Sequence, residues 1–141
     1  MKIRASFPLI PAVAAVMLGA GCSHKSPTET TGSTHVVVRA SESADANGVD
    51  VQLLRVENDS RCAVNVQCVW AGNATAVITV RTPETKVGVL LAQQFVNTNI
   101  DPRYVDVSGY RVRLDSLKPA PVAGQTIEQK DYVAYLSITK N

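Results

Sequence analysis

The chain is predicted to fold as a single small antiparallel β-sandwich, and three observations predict it. Beyond residue 34, apolar side chains recur at every second position in several short runs, the spacing that turns one face of a strand into a core. Those runs are separated by Asn, Asp, Gly and Pro, the residues that turn a chain between strands. No window there repeats apolar residues at the 3.6-residue spacing of a helix. Six or seven short strands over about 105 residues make one all-β domain.

Taken in order, residues 36–38 (Val-Val-Val) open the first strand. Asn47-Gly48 then precedes a long apolar run; both residues tolerate positive φ, so the pair is a strong hairpin signal. Val49, Val51 and Leu53 alternate, and the phase slips at Leu53-Leu54 so that Leu54 and Val56 continue the apolar set. A one-residue slip would turn the set to the opposite face, and a β-bulge absorbs it. Asn58-Asp59-Ser60 ends that strand. Residues 74–81 alternate, with Ala76, Ile78 and Val80 inward, and Thr82-Pro83-Glu84 turns the chain. The mostly apolar run 87–92 reads as a strand buried on both faces or at a sheet corner, and 97–109 as a longer polar loop. Tyr110, Val112 and Leu114 face in while Arg111, Arg113 and Asp115 face out. An irregular connection around Pro119, Pro121 and Gly124 leads to a last strand carrying Tyr132, Ala134, Leu136 and Ile138. The pattern resembles an immunoglobulin-like sandwich, with a small closed barrel second. The inter-sheet cysteine pair of antibody domains is missing, because only five residues separate Cys62 from Cys68.

Residues 1–21 read as an export signal: Lys2 and Arg4 are basic, 7–21 are apolar, and small residues run into Cys22. The run is too short for a spanning helix. Its Leu-Gly-Ala-Gly-Cys ending resembles a bacterial lipoprotein signal, which implies a lipid on Cys22 as the first residue of the mature chain. Gly19 stands where such signals carry a large aliphatic residue, with Leu18 one position earlier. The resemblance implies, with Ser23 following the cysteine, an outer-membrane anchor facing the periplasm. Residues 22–34 are polar, without periodicity, and are expected to form a flexible tether from the anchor to an all-β domain at 35–141. The chain has 14 basic and 12 acidic residues; losing Lys2 and Arg4 leaves 12 of each. A neutral domain lacks the electrostatic footprint of a nucleic-acid binder.

The stretch from Asp59 to Asn73 holds two of the three cysteines and the single tryptophan. With Cys22 lipidated, Cys62 and Cys68 remain as a pair in an oxidising compartment, where disulfides persist. Closing a loop of roughly seven residues stabilises a domain by about 2–2.5 kcal/mol in the chain-entropy model. Trp70, two residues beyond Cys68, is expected to cover the disulfide. Gly72 is expected to permit a close backbone approach, and Asp59 and Arg61 to pair with each other or with loop amides.

These residues also resemble the signature of a family of small uncharacterised bacterial lipoproteins, Asp-Ser-Arg-Cys, five residues, then Cys-x-Trp-Ala-Gly. The likeness continues at Gly109-Tyr110-Arg111-Val112-Arg113-Leu114, Leu117-Lys118-Pro119 and Asp131-Tyr132-Val133-Ala134. It implies an exported, lipidated all-β domain and supplies no activity. Where the family carries proline after the first cysteine this chain has Ala63, so a less rigid loop is expected.

Catalysis finds little to work with. Thiol–disulfide enzymes place Cys-x-x-Cys at a helix N-terminus, which lowers the attacking thiol's pKa; five intervening residues in a β loop do not. The two histidines are His24, in the tether, and His35, at the domain edge, too few for a metal centre with the cysteines or for a Ser-His-Asp site. Asp59, Asp101, Asp106, Asp115 and Asp131 offer carboxylates for a glycosidase-like pair, but at strand ends they read as turn formers. The expectation is therefore no enzyme and no metal or other cofactor. It is a monomeric envelope module with a binding or structural role toward a protein or glycan. The alternative is an enzyme inhibitor that presents the Cys62–Cys68 loop through Val64 and Val66. Tyr104, in the polar loop, is the aromatic expected at a binding surface.

Overall fold

The computed structural model describes residues 32–85 and 91–141. The signal 1–21, Cys22, most of the tether and residues 86–90 lie outside the described residues. Eight strands follow: β1 (Thr34–Arg39), β2 (Ser43–Ala46), β3 (Val49–Glu57), β4 (Thr75–Arg81), β5 (Gln94–Asn97), β6 (Tyr104–Val107), β7 (Tyr110–Lys118) and β8 (Val133–Lys140), with a short 3-10 turn at Gln129–Asp131 before β8. They form two four-stranded sheets, ordered β1-β8-β7-β6 and β2-β3-β4-β5, antiparallel throughout. The sandwich is as expected, and no sheet closes into a barrel.

Alternation explains which face is buried. Val36 and Val38 of β1, Val112 and Leu114 of β7, and Ala134, Leu136 and Ile138 of β8 enter the core from one sheet. Val49, Val51 and Leu53 of β3, Ala76, Ile78 and Val80 of β4, and Val96 of β5 enter from the other. The hairpin turn at Asn47-Gly48 has φ of 55° and 78°, the two positive values that a two-residue turn matching strand twist requires. The slip in β3 is a bulge: Leu53 pairs Ile78, Arg55 pairs Val77, and Leu54 is skipped. Leu54 is half-buried and Val56 is buried, so the core phase resumes at Val56 rather than at Leu54 as expected. A second bulge between Leu114 and Ser116 in β7 does the same, making Leu117 the next buried residue.

Three expectations are corrected, and a fourth is mostly untested. The tether's last residue, Thr34, already belongs to β1. That strand does not share the Asn-Gly hairpin; it pairs with β8, and the short polar β2 takes the hairpin instead. Ser-Ala-Asp-Ala carries too little apolar surface to read as a strand from sequence. The expected strand at 87–92 falls mostly outside the described residues, and Leu91 and Ala92 are not in a strand. The supposed polar loop 97–109 contains the end of β5 and all of β6, whose hairpin with β7 turns at Ser108-Gly109.

Candidate functional site

Residues 58–74 leave β3 and return as β4, and every contact at their base holds the backbone in place. Asn58 has a φ of 50° and starts the turn away from the sheet. The two legs pair like a short ladder, Ser60 N donating to Asn73 O (2.7 Å) and Cys62 N to Ala71 O (2.9 Å). Gly72 sits in this neck with a φ of 68°. A β-carbon there would lie 1.8 Å from Ser60 O and 2.8 Å from Arg61 Cα, so only glycine allows the legs to meet. The disulfide Cys62–Cys68 closes the tip, its Cα atoms 5.9 Å apart.

Arg61 anchors the entering leg. Its Nε and Nη2 donate to the two oxygens of Asp59 at 2.8 and 2.6 Å. Its Nη1 donates to Leu117 O (2.5 Å), and Nη2 also reaches Pro119 O (2.9 Å). The phenol of the buried Tyr132 donates to Asp59 Oδ2 at 2.9 Å. Burial works to raise the Asp59 carboxyl, but the hydrogen bonds of Arg61 and Tyr132 and the charge of Arg61 outweigh it and hold the group below its ordinary 3.8. Burial, then the hydrogen bond to Asp59, pushes the Tyr132 phenol up to about 12. A raised phenol contributes stability in full below its unfolded value of about 10, and loses it as pH rises through about 12.

The returning leg is held by a polar network. Asn73 Nδ2 and Thr75 Oγ1 both donate to the side-chain oxygen of buried Asn97 (3.0 and 2.7 Å), Thr98 Oγ1 donates to Asn73 Oδ1 (3.2 Å), and Asn99 Nδ2 donates to Gly72 O (2.6 Å). The tip leans on the 119–124 connection: Val64 N donates to Pro121 O (2.9 Å) and Ala123 N to Asn65 Oδ1 (2.7 Å). These contacts hold the tip against that connection.

What the tip displays is apolar. Val64 is 69% exposed, Val66 49%, Val69 91% and Trp70 81%. Trp70 therefore does not cover the disulfide as expected; its ring faces water. Of the sequence-predicted residues, the fold gathers Asp59, Arg61, Cys62, Val64, Val66, Cys68, Trp70 and Gly72 in this loop. Tyr104 lies elsewhere: it begins β6 in the other sheet, and the Arg111 guanidinium stands 4.0 Å over its ring. Tyr132 and Asn97, which support the loop from outside the Asp59–Asn73 stretch, and the display of Val69 at its tip are not foreseen from the sequence. Val69 carried a signal, a large aliphatic residue between Cys68 and Trp70 where the chain is not in a strand.

Of the five carboxylates, Asp101 lies in a bend and Asp131 in the 3-10 turn, as expected of turn formers, and Asp59 accepts from Arg61 N (3.3 Å) just after β3, whereas Asp106 and Asp115 do not turn the chain. Asp59 is a partly buried ion-pair partner, while Asp106 and Asp115 lie within β6 and β7, where Asp106 pairs with Arg111 (2.8 Å) and Asp115 approaches His35 (3.5 Å). Among the described residues, no three His, Cys, Asp or Glu side chains cluster to hold a metal ion. No known family, curated protein or solved structure matches this chain.

Proposed function

We propose that the protein is a lipid-anchored binding module of the bacterial cell envelope, whose Cys62–Cys68 loop docks in an apolar cleft of a partner protein. The observation that carries the reading is the exposure of Val64, Val66, Val69 and Trp70 on one tip whose backbone is fixed from three sides. Exposed apolar side chains gathered in one place mark interaction surfaces. A pre-ordered loop loses little further entropy on binding, and tryptophan is the residue most enriched where truncation costs most affinity. The role is one of binding rather than catalysis. Enzyme inhibition is the special case in which the cleft is an active site, and the braced loop favours it over a purely structural role.

The address rests on the sequence: the basic and apolar leader, Cys22 after three small residues, and Ser23, which points to the outer membrane facing the periplasm. Intact mass of protein from native membranes is expected to show a chain beginning at lipidated Cys22. In quantitative capture from the same membranes, Trp70→Ala is expected to weaken binding of the partner by about 30-fold or more. Tyr135→Ala, a half-exposed position on β8, should leave capture unchanged. Equal capture by wild type and Trp70→Ala would remove the loop from the interface. If the captured protein is an enzyme, loss of its inhibition in the Trp70→Ala protein identifies the special case.

A further inference from the structure

We propose a second site, independent of the loop: the outer face of the β1-β8-β7-β6 sheet binds an acidic sugar through an anionic oxygen group, phosphoryl or carboxylate. The register builds it. Arg111 stands between Asp106 and Thr139, and Arg113 between Tyr104 and Ser137, on the face opposite buried Val112 and Leu114. With Arg103, just before β6, the side chains of Tyr104, Arg111, Arg113 and Thr139 line an open cleft of about 480 Å³.

The three arginines are not equivalent. Arg111 gives Nε and Nη2 to Asp106 (2.8 and 2.9 Å) and lies over Tyr104, so it is a fixed, neutralised wall. Arg113 is half exposed, and among the described residues its carboxylate neighbour is Asp115 at 3.8 Å, beyond hydrogen-bond reach. Asp115 is itself shared with Ser137 (3.2 Å) and His35 (3.5 Å). The Nε of Arg103 is buried, and no protein acceptor among the described residues reaches it. Buried donors are normally paired, and an orphaned one calls for an explanation. Arg113, with no carboxylate among the described residues in hydrogen-bond reach, and Arg103, whose Nε is buried and unsatisfied, thus both line one cleft, and a planar guanidinium fork matches an oxyanion held by two parallel bonds.

The remaining lining selects the rest of the ligand. Thr139 offers a hydroxyl, while Asp101 places a carboxylate on the same cleft. That carboxylate repels a second anionic group and accepts from a ligand hydroxyl. One acidic group on a hydroxylated body is the chemistry of a sugar phosphate or a uronic acid.

Titration calorimetry on the detergent-solubilised full chain tests this with glucose 6-phosphate, glucuronate and glucose. At least one acidic sugar is expected to bind and glucose not, and the better of the two names the anionic group. Arg113→Gln and Arg103→Gln should each weaken binding by about tenfold or more, since bonds to a charged group are lost. Arg81→Gln, exposed on β4 of the other sheet, should not. Arg113 is half exposed, so its variant keeps the fold even if Arg103→Gln does not. Binding of neither acidic sugar above glucose, or wild-type binding by folded Arg113→Gln, would overturn the proposal.

Discussion

Gly72→Ala is expected to destabilise the domain by about 3–5 kcal/mol, the range reserved for strained backbone and forced overlap. A methyl group 1.8 Å from Ser60 O, with another backbone atom, Arg61 Cα, at 2.8 Å, cannot be absorbed by a side-chain rotation. The legs must separate, which breaks the Ser60–Asn73 and Cys62–Ala71 bonds. Gly109→Ala is the control. It shares the positive φ, at 79°, but its β-carbon would meet nothing within 4 Å, so it should cost only the left-handed penalty of about 1–2 kcal/mol. Urea unfolding with unchanged slope gives both values. Equal losses at the two positions would mean that the neck is not held as described.

Arg61→Ala should have an effect of similar size, about 3–5 kcal/mol, because removing one partner of a buried pair leaves the other charge uncompensated. The Asp59 and Arg61 side chains are only 12% and 11% exposed, and the carbonyls of Leu117 and Pro119 lose their donor as well. The sign with pH follows from the depressed carboxyl. In the wild type Asp59 contributes stability above about 3.8, lost as pH falls through its lower folded value. In the variant burial acts with less opposition, so protonation relieves the unpaired charge. The gap between the two proteins should therefore be widest near neutrality and narrow below about pH 4, which urea unfolding at a series of pH values measures. A gap independent of pH would contradict the pairing.

The strands with clean alternation were legible because two-residue periodicity reports a buried face directly. So was the bulge in β3, since a phase slip has few other physical causes. The three-residue step from Leu114 to Leu117 carries the same signal in β7. The edge strands β2 and β6 were hidden because one face meets water and the other contributes few apolar atoms; Ser108-Gly109 was the available hint for β6. At the loop, the cysteines, Gly72 and the Asp59–Arg61 pair were readable from local spacing. The outward turn of Trp70 was not, because the loop that carries it is held by bonds from Arg61 and Val64 to Leu117, Pro119 and Pro121, more than fifty residues further along the chain. The same distance hid Tyr132, whose phenol reaches Asp59 across 73 residues of chain.

The central claim is that the tip of the disulfide loop is the surface the partner touches. Photo-crosslinking residues placed in turn at Val64, Val69 and Trp70 of the full chain, in native membranes, test it most directly. Val37, 53% exposed on β1, is the comparison site. One adduct of the same mass from all three loop positions, and none from position 37, is the predicted result. No adduct from the loop, or the same adduct from position 37, would contradict it.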